Sequence, residues 1–335
     1  MNKANSFFIG PVNMNSHPKG GDQFKNRILF NILQSINKEI DLIDTARIFG
    51  RLKLLWLLYL EKTGQIEQLI ISASSVSSYK FIRFLNEKTK KRTTYFVIGG
   101  ALPEIINKNN FHPYVYHNLK ATVVEGAFLQ EKLGVYGVTS TVLPNFKHKK
   151  HNKLKQINSS GHLKLVFVSR ITESKGVLTI LDALQTISKD TIDCTFFGPC
   201  DLDMKEVISK NAFAHYGGYL DFYSNPEESY SNLAEYDAMV FPTKWHGEGF
   251  PGIFLDAFMV GLPVICSDWN MNTEVIQDGY NGLVLKENNA ECLIEAIIKI
   301  DNDRKLLNKL SNNSQASFDQ YDFETAKVRI KEILN

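Results

Sequence analysis

Short hydrophobic runs alternate along the chain with segments in which apolar residues recur at helical spacing. From Phe24 to Ile36 the apolar residues stand three and four apart, which predicts a helix with one buried face. The runs that predict strands in the first 145 residues are Phe7–Ile9, Gln68–Ser72, Thr94–Ile98, Thr122–Val124 and Thr141–Leu143. This alternation is typical of a doubly wound α/β domain.

The same alternation starts again in the second half of the chain. Strands are predicted at Leu163–Val168, Asp193–Gly198, His215–Gly218, Ala238–Phe241, Val264–Cys266 and Leu283–Leu285. Helices are predicted at Val177–Ile187, Met204–Lys210, Tyr223–Tyr236, Ile253–Met259 and the amphipathic tail Phe323–Leu334. A chain of 335 residues is long enough for two domains with separate cores.

Composition adds two expectations. The four cysteines have neither CxxC pairing nor metal-ligand spacing, so we expect free thiols in a reducing compartment. The N-terminus lacks the pattern of a signal peptide, so we expect a cytoplasmic protein.

The charge is unevenly distributed. Residues 1–150 carry 21 Lys and Arg against 10 Asp and Glu, a net +11, whereas residues 151–335 carry 17 against 26, a net −9. Two interpretations of the basic half are open: it binds anionic lipid or a phosphate-bearing acceptor, or it is a solvated basic face without a partner. The apolar run Leu54–Leu60 is too short to span a bilayer. It is either a buried helix or an interfacial anchor, for which Trp56 and Tyr59 are suited.

The richest chemistry lies between Ala238 and Leu285. After the strand Ala238–Phe241, a loop carries Glu248, and eight residues later Asp256 lies on a helix. In a strand–loop–helix unit this spacing places both carboxylates at the border of one crevice. The glycines and ring residues between the two acids are Gly249, Phe250, Pro251 and Gly252.

Arg170 and Lys175 flank the loop that follows the strand Leu163–Val168. At a strand end next to a helix start, a guanidinium and an ammonium suit a diphosphate; alone, the pair is typical of a surface loop. Gly20 and Gly21 begin the helix after the first strand. They suit either backbone contact with a phosphate or a simple turn.

These motifs together resemble retaining, nucleotide-sugar-dependent glycosyltransferases of family four, also called glycosyl transferases group 1, which have the GT-B fold. Asp256 departs from the family pattern, which has Glu at that position, and its reach is one methylene shorter. The matching segments are Glu248-Gly249-Phe250-Pro251, Asp256-Ala257, Gly261-Leu262-Pro263-Val264, Glu274-Val275-Ile276, Asp278-Gly279-Tyr280-Asn281-Gly282 and the Arg170…Lys175-Gly176 loop.

The resemblance implies an α/β fold with two Rossmann-like, doubly wound domains that face each other across a cleft. It places an N-terminal acceptor domain at residues 1–145, a linker at 146–161 and a nucleotide-sugar-binding domain at 162–319. The C-terminal helix, within 320–335, is expected to cross back and pack on the first domain.

The resemblance also implies roles for the site residues. Arg170 and Lys175 would stabilise the departing diphosphate and Glu248 would orient the donor sugar, so these three are the predicted catalytic residues. The predicted donor-binding residues are Asp256, Gly249, Phe250, Pro251, Gly252, Gly20 and Gly21. A histidine of the first domain contacts the donor sugar in many members; His17, His112 and His117 all remain candidates. We predict neither a cofactor nor a catalytic metal, because Asp201-Leu202-Asp203 and Asp301-Asn302-Asp303 lie at predicted helix starts.

The predicted function is metal-independent, retaining transfer of a sugar from a UDP- or GDP-sugar to a hydroxyl of a glycan acceptor, without nucleic acid. By the same resemblance, the acceptor would be lipid-linked and would serve capsule or O-antigen synthesis at the inner face of the plasma membrane. Two alternatives are open. Gly247–Gly252 also fits the dinucleotide motif G-x-G-x-x-G, although Glu248 and Pro251 are poorly suited to a phosphate cradle. A catalytically silent glycosyltransferase-like binding protein would share the same motifs.

Overall fold

The computed structural model describes residues 5–14, 16, 20–108, 111–149 and 161–335. The chain forms two compact units. The first unit comprises Met1–Lys147 with Phe323–Asn335, and the second comprises His148–Asp322. The predicted domain limits stay a prediction, because most of the proposed linker, residues 150–160, lies outside the described residues.

The described part of the first unit is built on one parallel sheet. Its strands are β1 (Ser6–Gly10), β2 (Ile40–Asp44), β3 (Gln68–Ile71), β4 (Thr93–Phe96), β5 (Ala121–Val124) and β6 (Thr141–Val142). They lie in the order β2-β1-β3-β4-β5-β6. Every residue of β1 is buried, as expected for a strand covered on both faces. The sequence patterns did not predict β2, whose acidic residues interrupt the hydrophobic run.

Helices cover this sheet. They are α1 (Gly21–Ile36), α2 (Ile48–Lys62), α3 (Ser75–Ile82), α4 (Glu87–Lys90), α5 (Leu102–Lys108), α6 (Tyr114–His117) and α7 (Ala127–Gly134). In α2, Leu57 and Leu60 are buried while Leu55, Trp56 and Tyr59 are exposed. The interpretation of Leu54–Leu60 as a buried helix therefore holds for only one face of this helix.

The second unit contains another parallel sheet. Its strands are β7 (Leu163–Val168), β8 (Ile192–Phe197), β9 (Ala214–Gly218), β10 (Ala238–Phe241), β11 (Val264–Ser267) and β12 (Gly282–Leu285). The order is β12-β11-β10-β7-β8-β9, so the chain runs outwards from β7 to one edge and then from β10 to the other. This is the strand order of a Rossmann fold. The predicted class, α/β with two doubly wound domains, is confirmed.

Four of the seven helices in the described part of the second unit lie where the sequence patterns predicted a helix. They are α8 (Val177–Ile187), α9 (Leu202–Ser209), α10 (Pro226–Leu233), α11 (Gly252–Met259), α12 (Asn272–Val275), α13 (Ala290–Asn302) and α14 (Arg304–Ser317). Asp201 caps α9 by accepting a hydrogen bond from the amide of Met204 at 2.8 Å, and Asp303 caps α14 in the same way. Both acidic triplets therefore contribute to helix starts.

The C-terminal helix α15 (Phe323–Leu334) belongs to the first unit. Ala326 and Ile330 are buried in the same core cluster as Phe8 of β1 and Ile28 of α1. The side chain of Lys120 also donates to the carbonyl of Leu334, a C-terminal carbonyl without a partner in its own helix. The predicted return of the last helix to the first domain is confirmed.

Candidate functional site

The candidate site of the second unit lies at the carboxyl ends of β7 and β10. These strands are neighbours at the centre of the sheet, and their connections leave in opposite directions. The loops after two such strands diverge, and the crevice between them is the usual ligand site of open α/β sheets. Arg170 and Lys175 lie in the loop after β7, and Glu248 lies in the loop after β10.

The two loops are held together by their backbones. The amide of Lys244 donates to the carbonyl of Ser174 at 2.9 Å. Gly176 has a φ of +84°, and a Cβ at this position would stand 2.1 Å from the carbonyl oxygen of Pro242. Only glycine meets both conditions without strain, so Gly176 permits the close approach of the two loops.

Lys175 and Glu248 meet in a buried ion pair. Lys175 Nζ lies 2.5 Å from Glu248 Oε2, and their side chains are only 5% and 9% exposed. The hydroxyl of Thr243 donates to the same carboxylate oxygen at 3.0 Å. Burial lowers the pKa of Lys175, although the negative charge of Glu248 acts in the opposite direction.

A tryptophan links the second cation to this pair. The guanidinium of Arg170 lies 4.7 Å from the ring centre of Trp245, and Lys175 Nζ lies 4.3 Å from the same ring. Arg170 is exposed, whereas Lys175 is buried. The indole therefore brings one accessible and one buried cation to a common surface, which is a suitable arrangement for an anion with several oxygens.

The loop that carries Glu248 is supported by the segment after β11. Asn270 donates from its side-chain amide to the carbonyl of Glu248 at 2.9 Å and to that of His246 at 3.2 Å. The indole of Trp269 donates to the carbonyl of Trp245 at 2.9 Å. Asn270 has a φ of +48°, a conformation that asparagine tolerates better than most residues. These contacts fix the backbone on both sides of Glu248.

Helix α11 begins at Gly252, directly after Gly249, Phe250 and Pro251, which are buried. The first amides of a helix have no partner within the helix and lie at the positive end of its dipole. Gly261 ends the helix with a φ of +67°, and the amide of Leu262 donates to the carbonyl of Ala257.

Asp256 lies one turn inside α11 and is only 2% exposed. Its Oδ1 accepts a hydrogen bond from the hydroxyl of Tyr230 on α10 at 2.9 Å. Burial and the adjacent carboxylate raise the pKa of Tyr230, which keeps this tyrosine protonated. The structure thus places Asp256 beneath the surface against α10, while Lys175 and Glu248 contact each other.

Sequence reasoning missed several residues that build this site. Thr243, Trp245, Asn270 and Tyr230 each contact a predicted site residue. The predicted site residues that they contact are between five residues away along the chain, for Thr243 and Glu248, and 75 residues away, for Trp245 and Arg170. The only available signal was the presence of two tryptophans, at positions 245 and 269, close to the acidic motif.

The remaining candidates lie in the first unit. Gly20 and Gly21 are exposed at the start of α1, beyond the carboxyl end of β1. His112 is exposed with its ring 5.4 Å from that of Tyr114, and His117 is exposed with Nε2 3.4 Å from the carbonyl of Tyr136. His17 lies outside the described residues.

The first unit also has a cavity of about 420 Å³ near the carboxyl ends of β1 and β3. These strands are the switch point of that sheet, because β2 lies on the far side of β1. Polar lining side chains include Asp22, Arg51 and Ser74. The cavity is therefore suited to a hydroxyl-rich ligand.

Across the described residues, no group of three or more His, Cys, Asp and Glu side chains has the arrangement of a metal site. All four cysteines are free thiols. Burial raises the pKa of Cys194 and Cys266, so neither is an activated nucleophile.

The family model for glycosyl transferases group 1 matches residues 149–317, which is half of the chain and includes the whole candidate site of the second unit. The chain belongs to this family. An uncharacterised glycosyltransferase of Methanocaldococcus jannaschii is 25% identical over 70% of this group 1 chain and 57% of its own length. The capsular polysaccharide biosynthesis glycosyltransferase CapM of Staphylococcus aureus is 20% identical over 64% of the chain and 67% of its own length.

Among solved structures, Anabaena HepE in complex with UDP and glucose has a TM-score of 0.71 and 14% identity, over 99% of both chains. At this identity the likeness concerns the fold alone, and it agrees with the predicted GT-B class. The chain spans less than two thirds of the length of the Methanocaldococcus relative.

Proposed function

We propose that this group 1 glycosyltransferase moves a sugar from a nucleoside-diphosphate donor to a hydroxyl of a glycan acceptor in bacterial surface polysaccharide synthesis. One observation carries the proposal: Arg170 and Lys175 contact one indole, and Lys175 pairs with Glu248, at the switch point of the second sheet. The names of CapM and of an O-antigen mannosyltransferase of Escherichia coli support the biological setting.

The diphosphate would lie between the two cations and the first amides of α11. Negative charge grows on this leaving group as the sugar bond breaks, so fixed positive groups lower the barrier. Removing one such group from an enzyme typically costs a factor of about 100 to 1,000 in rate. Because two side-chain cations and a helix start meet the charge, the reaction would proceed without a metal ion.

Glu248 would have two roles. It neutralises Lys175 in the absence of donor, and it would accept hydrogen bonds from donor-sugar hydroxyls and stabilise the positive charge that develops on the ring. Asp256, held by Tyr230, would contact the ribose hydroxyls. Attack on the same face as the leaving diphosphate would retain the anomeric configuration.

The acceptor would bind in the cavity of the first unit that Asp22, Arg51 and Ser74 line. A lipid-linked glycan suits the net +11 of residues 1–150, since the diphosphate of such a lipid is anionic. Two relatives support this acceptor class by name, because both are transferases that act on diphosphoundecaprenol-linked sugars, in Escherichia coli and Campylobacter jejuni.

A screen of UDP- and GDP-sugars by mass spectrometry tests the proposal. We expect one donor to be hydrolysed slowly without acceptor and transferred with it, at a rate that EDTA leaves unchanged. Glu248→Gln and Arg170→Ala should each lower turnover at least about a hundredfold without loss of fold. Binding of a nucleotide without hydrolysis or transfer would instead indicate a silent binding protein, and a thermal shift with NAD alone would indicate a dinucleotide site.

A further inference from the structure

Helix α2 presents a large apolar surface to solvent. Six of its large apolar side chains are between 47% and 81% exposed, and they are Ile48, Phe49, Leu52, Leu55, Trp56 and Tyr59. Soluble proteins expose single apolar side chains at many places, but a contiguous set of this size marks an interaction site.

The six side chains share one face of the helix. At about 100° per residue, Ile48, Leu52, Leu55 and Tyr59 follow each other at spacings of four, three and four, and Phe49 and Trp56 lie next to them. The opposite face of α2 is buried against the rest of the first unit, and its buried residues are Gly50, Leu57, Leu60 and Glu61. The outward face is thus a second, separate apolar face.

Cations border this outward face on both sides. Lys53 lies along one border, and Arg51 and Lys62 lie along the other, each roughly a quarter-turn from its centre. All three are exposed. The only acid of α2, Glu61, is buried on the opposite face, where it accepts a hydrogen bond from the amide of Asn86 at 2.7 Å.

We propose that this outward face of α2 is a docking surface for an anionic membrane. Helices that lie in the headgroup region have this composition: Trp, Tyr, Phe and Leu enter the apolar boundary, while Lys and Arg at the borders reach the phosphates. With 15 residues, α2 is about 22 Å long, and no helix among the described residues is long and apolar enough to cross a bilayer. It therefore lies along the surface.

Charge favours a membrane over a second copy of the chain. A two-fold contact would place the same face on both partners, so Arg51, Lys53 and Lys62 would approach the same three cations of the other copy. An anionic lipid surface attracts all three and also the net +11 of residues 1–150. Arg51 also lines the cavity of the first unit, which would bring that cavity close to membrane-borne substrates.

The proposal deepens the proposed function, since it rests on a lipid-linked acceptor for its biological purpose. Binding to vesicles is nevertheless measured without sugar transfer, so the two can fail separately. Sedimentation with phosphatidylcholine vesicles, with and without roughly one third phosphatidylglycerol, should show binding only to the anionic vesicles. The bound fraction should fall as salt rises from about 0.05 to 0.5 M.

Two triple variants, each replacing three exposed apolar side chains by serine, separate binding by this face from non-specific hydrophobic adsorption. Phe49→Ser, Leu52→Ser and Leu55→Ser together should weaken vesicle binding at least about tenfold. Val135→Ser, Leu202→Ser and Val328→Ser remove side chains that are equally exposed on other helices or their ends, and they should leave binding unchanged. Circular dichroism of both variants checks the fold.

Fluorescence gives a second readout at the helix itself. Trp56 emission should shift to the blue on binding to anionic vesicles, and Trp56→Phe should bind but lose most of this shift, because Trp245 and Trp269 lie in the second unit. Equal binding to both vesicle types, no binding, or binding that the Ser variants of α2 leave intact would overturn the proposal. So would a dimer in sedimentation velocity that only the α2 variant dissociates.

Discussion

The buried pair of Lys175 and Glu248 allows stability and activity to be separated. Lys175→Met leaves the Glu248 carboxylate in a site where its side chain is only 9% exposed, with the Thr243 hydroxyl as a remaining donor. Breaking a buried ion pair from one side costs about 3–5 kcal/mol, because the partner's charge stays buried and uncompensated. We expect a loss near the lower end of this range, since Thr243 still satisfies one carboxylate oxygen.

The double variant Lys175→Met, Glu248→Gln removes both charges and should recover most of this stability. Replacing both members of a buried pair is often nearly neutral. Activity should not recover, since the cation that meets the diphosphate is absent from both variants. Each should therefore lose at least about a hundredfold in kcat/KM.

Urea unfolding gives the free energies, and transfer kinetics give kcat/KM. The matched control is Lys210→Met, whose partner Glu206 forms a surface pair with side chains 68–70% exposed, and which should cost less than about 1 kcal/mol. If Lys175→Met unfolds like this control, the pair is not buried in the way described. If the double variant regains activity with its stability, Lys175 acts only as a structural group.

Three further predictions follow from the same site. Burial lowers the pKa of Lys175, so kcat/KM should begin to fall with rising pH below the ordinary lysine range. Lys175→Arg should move this fall to higher pH, because arginine stays protonated; a fall at the same pH would show that Lys175 does not cause it. Between the lowered pKa of Lys175 in the folded chain and its ordinary pKa in the unfolded chain, the unfolded chain binds more protons at this residue. Lys175 therefore makes the free energy of unfolding rise with pH in this range. Gly176→Ala should destabilise by more than about 1 kcal/mol in urea unfolding because of its positive φ and the close carbonyl, whereas Gly134→Ala, with open space around it, should not. Tyr230→Phe should raise the donor KM severalfold with little change in kcat if Asp256 holds the ribose; kinetics equal to the wild type would remove Asp256 from the donor site.

The strands of the second unit could be predicted because they are short, mostly apolar and followed by glycine- or proline-containing segments. The strand Ala238–Phe241 was predicted with its correct limits, and the helix Ile253–Met259 with its correct C-terminal limit. In the first unit, β2 was not predicted because Asp41 and Asp44 interrupt its apolar pattern. Its burial depends on neighbouring strands rather than on its own sequence.

The site could be predicted only in part, for a related physical reason. The motifs identified Arg170, Lys175 and Glu248, and the structure brings the two cations to one indole and pairs Lys175 with Glu248. Trp245 and Asn270 act through contacts that depend on the packing of three loops, and no local pattern encodes such contacts.

The two faces of α2 also show that packing between distant segments cannot be predicted from a local sequence pattern. Apolar residues all around a helix predict burial on both sides, but only the neighbours of α2 determine which side is covered. The sequence favoured a buried helix and left an interfacial anchor as the alternative, and the structure buries one face of α2 and exposes the other.

Titration calorimetry that compares the affinity of UDP with that of uridine, and the affinity of GDP with that of guanosine, tests the central claim most directly. If a diphosphate binds at the switch point of the second sheet, one nucleotide should bind at least about tenfold more tightly than its nucleoside, and Arg170→Ala should remove most of that difference. Equal affinities for nucleotide and nucleoside, or an Arg170→Ala variant that binds like the wild type, would contradict it.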